Sequence, residues 1–70
     1  MMVEVFKTNV TCPEASRQLI QQLLSHFPLF HINFDLEDCD RILRIEGDEI
    51  PAAQVIKLLD HNGYLCEVLI

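Results

Sequence analysis

The hydrophobic period of this chain switches repeatedly between about two and about 3.6 residues, which restricts the fold more than any single motif does. Val3 and Val5 read as a first strand with Glu4 facing away from the core. Thr11 and Glu14 then stand in the S/T-x-x-E relation of a capping box, and Pro13 suits a first helical turn. Ala15, Leu19, Ile20, Leu23, Leu24 and Phe27 follow at helical spacing, predicting a helix over about 14–26 that ends before Pro28. From Leu29 the period becomes two: Phe30, Ile32, Phe34 and Leu36 alternate with His31, Asn33 and Asp35, the pattern of a half-buried strand. Glu37-Asp38-Cys39-Asp40 is a polar turn, and the strand after it puts Leu43 and Ile45 on the core side. So short a connection makes the pair an antiparallel hairpin. Pro51 opens a second helix with Ala52, Val55, Ile56 and Leu59 on its buried stripe, and Gly63 stands where a left-handed cap is wanted. Residues 64–70 form a last strand, with Cys66, Val68 and Ile70 on one face.

The resulting order, β-α-β-β-α-β, is the split βαβ motif. Two amphipathic helices need one apolar sheet face to cover. The expected fold is therefore α+β, a ferredoxin-like sandwich with a four-stranded antiparallel sheet and both helices on one face. Residues 1–70 make one domain, near the lower size at which a single core suffices.

Composition excludes several function classes. The net charge is −6, with five Lys/Arg scattered among eleven Asp/Glu, so no basic stripe is available for nucleic acid. No apolar run approaches the roughly 20 residues of a membrane helix, and MMVEVFK lacks the features of a signal peptide. A cytoplasmic location follows as the expectation, with the three cysteines as free thiols. A calcium loop beginning at Asp35 fails because Asp40 stands where the turn needs Gly. No phosphate loop or Ser/His/Asp pattern suggests an enzyme.

The first loop reads Asn9-Val10-Thr11-Cys12-Pro13-Glu14-Ala15 and the last strand begins Gly63-Tyr64. In these features and in its element order the whole chain resembles the heavy-metal-associated domains, which include copper chaperones. Those domains carry a loop of the form G-M-T-C-x-x-C. The resemblance implies a Cu(I) or Zn(II) site of two thiolates at the start of the first helix. Cys12 matches the first ligand and Ala15 takes the place of the second, so the implied site is incomplete. Cys12 is the one candidate metal ligand, acting alone with an outside thiol or shared with Cys12 of a second copy in a homodimer. The alternative is an interaction module that keeps the fold, has lost the metal and binds a protein partner. Cys39 reads as a turn residue far across the sheet from the first loop, Cys66 as a small core residue, and His61 as a helix C-terminal residue. His26 and His31 lie at the opposite end.

Overall fold

The computed structural model describes residues 1–69. The elements are β1 (Met2–Thr8), α1 (Pro13–His26), β2 (His31–Asp35), β3 (Ile42–Gly47), α2 (Ala52–His61) and β4 (Cys66–Val68). The sheet order is β2-β3-β1-β4, with every neighbouring pair antiparallel. This is the ferredoxin-like α+β arrangement expected from the alternating periods. Phe6, Leu43 and Ile45 of the sheet form one fully buried cluster with Leu19 and Leu23 of α1 and Val55 and Leu59 of α2. Both helices therefore cover the same sheet face. The Ile70 placed on the last strand by periodicity lies outside the described residues, and β4 is shorter than the alternation suggests.

One strand faces the other way from its sequence reading. The register pairs Phe6 with Leu43 and Glu4 with Ile45, so Glu4, Phe6 and Thr8 share the helix side. Val3 and Val5 lie on the uncovered face, where Val3 is 46% exposed. On this parity Phe6 meets Leu43 inside the fully buried cluster, and Val3 and Val5 are left on the uncovered face.

The α2 terminus follows its sequence reading closely. Gly63 has φ +89, its N–H donates to the Asp60 carbonyl at 2.9 Å, and the Tyr64 N–H donates to the Leu59 carbonyl at 3.0 Å. That pair of bonds is a Schellman motif, whose left-handed position favours glycine.

Candidate functional site

The segment between β1 and α1 is anchored at several points. The Thr8 hydroxyl donates to the Arg41 carbonyl at 2.6 Å and accepts the Val10 N–H at 3.2 Å. The Asn9 side-chain oxygen accepts the Leu65 N–H at 2.8 Å. Val10 is fully buried and plugs the end of the core. Periodicity missed both Val10 and Thr8, because a single apolar residue in a polar loop has no period to belong to. Beyond this plug Thr11, Cys12, Pro13 and Glu14 are exposed.

The helix begins one residue later than the capping-box frame requires. Cys12, not Thr11, is the N-cap; its backbone is extended and its carbonyl accepts the Ser16 N–H at 3.0 Å. The Cys12 side chain makes no capping bond and, among the described residues, neither Thr11 nor Glu14 forms a side-chain hydrogen bond, so the Thr11–Glu14 box does not form. Pro13 sets the frame, because its fixed φ and missing N–H fit the first helical position. The buried Ser16 hydroxyl turns back to the Pro13 carbonyl at 2.6 Å. Counted from Cys12, the third helical residue is Ala15, half-buried against the core.

Cys12 is thus an exposed thiol at a helix N-terminus. Among the described residues it belongs to no group of three potential ligands. One thiolate does not chelate an ion, and the Ala15 methyl supplies nothing. A single chain therefore does not fit the two-sulfur site that the resemblance implies.

The other cysteines fall elsewhere. Cys39 is exposed in the β2–β3 turn, and its sulfur lies within 4.8 Å of Asp38 and Asp40 carboxylate oxygens. This turn is not far across the sheet from the first loop. β3 pairs directly with β1, so the Thr8 N–H donates to the Asp40 carbonyl at 3.1 Å and Lys7 Nζ stands 3.7 Å from Asp40 Oδ1. The turn's own bonds account for its shape: the Asp40 N–H donates to Asp38 Oδ1 at 2.8 Å, and Arg41, at φ +46, donates to the Leu36 carbonyl at 2.6 Å. His61 is the last residue of α2, as read from the sequence.

Cys66 is half-buried beside the core and opposite Thr8. Burial, reinforced by the neighbouring Glu67 carboxylate, pushes its thiol from 9.0 up to about 12. The folded chain therefore keeps this proton between pH 9 and about 12, while the unfolded chain releases it, and stability falls as pH rises across that window. Iodoacetamide at mildly alkaline pH is expected to label Cys12 and Cys39 in the native protein and to reach Cys66 only after unfolding. Peptide mass mapping with and without denaturant checks this; equal native labelling of all three thiols would contradict it.

No family model, curated protein or solved structure matches this chain in comparisons with known proteins.

Proposed function

We propose that the chain is a non-enzymatic, cytoplasmic domain of the heavy-metal-associated type whose first loop has kept one of two thiolates. In this reading it handles a soft ion, Cu(I) ahead of Zn(II), only when Cys12 of a second copy supplies the second sulfur. The observation that carries the proposal is the position of Cys12: an exposed N-cap side chain with no hydrogen bond among the described residues, on a loop fixed by Thr8, Asn9 and Val10. Soft thiolates favour Cu(I), which accepts a linear pair of sulfurs. The cost is bringing together two chains of net charge −6, a repulsion that salt screens.

A second reading, a metal-free module for a protein partner, is favoured by the β4 edge of the sheet. Leu65 and Leu69 there are 71% and 40% exposed, more than a closed surface needs. Nucleic acid is the less suitable partner, since Lys7 and Arg44 on the uncovered sheet face already stand beside Asp40 and Glu46. No helix among the described residues is long and apolar enough to cross a membrane.

The test is an anaerobic Cu(I) titration against a chelator of micromolar strength, with Cys12→Ser and Cys39→Ser in parallel. Uptake abolished by Cys12→Ser and kept in Cys39→Ser is the expected result. Uptake that survives Cys12→Ser, or none in the wild type, would remove the metal reading.

A further inference from the structure

The helix side of the molecule carries a concavity that the metal loop does not use. A cavity of about 420 Å³ lies between α1 and α2, and one of about 540 Å³ lies beyond the end of α1. Phe27 lines both, so the two hollows adjoin at this residue and follow each other along the helix side as a trough. Both are open hollows on the surface rather than enclosed pockets, so a ligand there keeps one side in water.

The two halves differ in chemistry. The first carries Lys57, His26 and His61 around an apolar floor of Phe27 and Leu58, with no carboxylate in its lining. The second is apolar, formed by Phe27, Leu29, Phe30, Ile50 and Pro51, with Glu49 its single charged group. The rings of Phe27 and Phe30 stack there at 5.0 Å and 15°. A Cβ at Gly47 would stand 2.5 Å from Phe30 Cδ1, so the glycine is what lets that ring lie where it does.

Charge adds an independent argument. In a chain of net charge −6, Lys57, like Arg17 and Arg41, takes part in no ion pair among the described residues, and of these three it alone lines the trough. An unpaired ammonium that shares its hollow with two imidazoles, next to an apolar hollow, is complementary to a ligand with an anionic head and an apolar body. Exposed Glu49 disfavours placing the anionic head in the apolar half.

We propose that this trough binds a small monoanionic amphiphile, a medium-chain carboxylate, with its head at Lys57 and its chain across Phe27 and Phe30. Lys57 Nζ and an imidazole N–H donate to the carboxylate oxygens, and the chain covers the stacked rings and exposed Leu29.

Amide spectra of the ¹⁵N-labelled protein titrated with sodium octanoate, octylamine and octan-1-ol test the proposal. Octanoate is expected to shift Phe27, Phe30 and Leu58 saturably, with a Kd on the order of 1 mM for a ligand of this size. Lys57→Gln weakens it roughly twofold and Lys57→Glu roughly fivefold, as expected for an exposed charge contact. Octylamine binds more weakly than octanoate in the wild type. Lys57 is exposed, so both variants keep the fold, which the dispersion of the same spectra verifies. Octylamine binding as well as octanoate, unchanged affinity in Lys57→Glu, or no saturable shift would overturn the proposal. Binding to phosphatidylglycerol vesicles without any response to monomeric octanoate would also overturn it, replacing a soluble ligand by a membrane surface.

Discussion

Phe6→Ala is expected to remove a large share of the protein's stability, whereas Val3→Ser leaves it nearly unchanged. Phe6 is fully buried at the centre of the cluster joining β1, β3 and both helices. Deleting a buried phenylalanine costs about 3–5 kcal/mol. A chain of this length has a total stability of about 3.5–10 kcal/mol at the usual per-residue value. Val3, on the uncovered face, is expected to change stability by less than about 1 kcal/mol. Urea midpoints for the two variants measure the difference. The comparison also tests the strand's parity, because a one-residue shift in facing exchanges the two outcomes. A Val3 variant as damaged as the Phe6 variant would contradict the observed register.

Ala15→Cys is expected to create a tight Cu(I) site within one chain. Cys12 is the N-cap and Ala15 the third helical residue, so the new sulfur joins an existing thiol on one anchored turn. The second sulfur then arrives at an effective concentration set by the loop rather than by a second molecule. Gains of this kind are roughly 10²–10⁴-fold. The substitution adds one sulfur at a half-buried position and is compatible with folding. Competition titration should show one Cu(I) per chain and no concentration dependence on protein. Uptake no tighter than in the wild type would mean that the turn does not aim the two sulfurs at one point.

Much of the fold was legible in the periods. Leu19 and Leu23 at helical spacing, Leu43 and Ile45 at a spacing of two, and Gly63 at the α2 terminus all occupy the places the sequence assigns them. Errors arose where a local signal was read without its tertiary partner. Val3 and Val5 form a convincing alternation, yet Phe6 on the opposite parity meets Leu43 and takes the core. Thr11 and Glu14 form a plausible capping box, but Pro13 and the Ser16 bond to Cys12 place the helix start one residue later.

The candidate site was legible only in part. Cys12 could be singled out from the loop residues, whereas its exposure could not be read from them. Its anchorage could not: Thr8 to Arg41 and Asn9 to Leu65 are bonds across 33 and 56 residues of sequence. The trough beside Lys57 was equally hidden, since it needs His26 and His61 from two helices that only packing brings together.

Native mass spectrometry of the reduced wild type, given half an equivalent of Cu(I), tests the shared-thiolate reading most directly. The account predicts a species of two chains and one copper that disappears in Cys12→Ser and persists in Cys39→Ser. Copper carried by single chains, or a copper-bound dimer that survives Cys12→Ser, would contradict it.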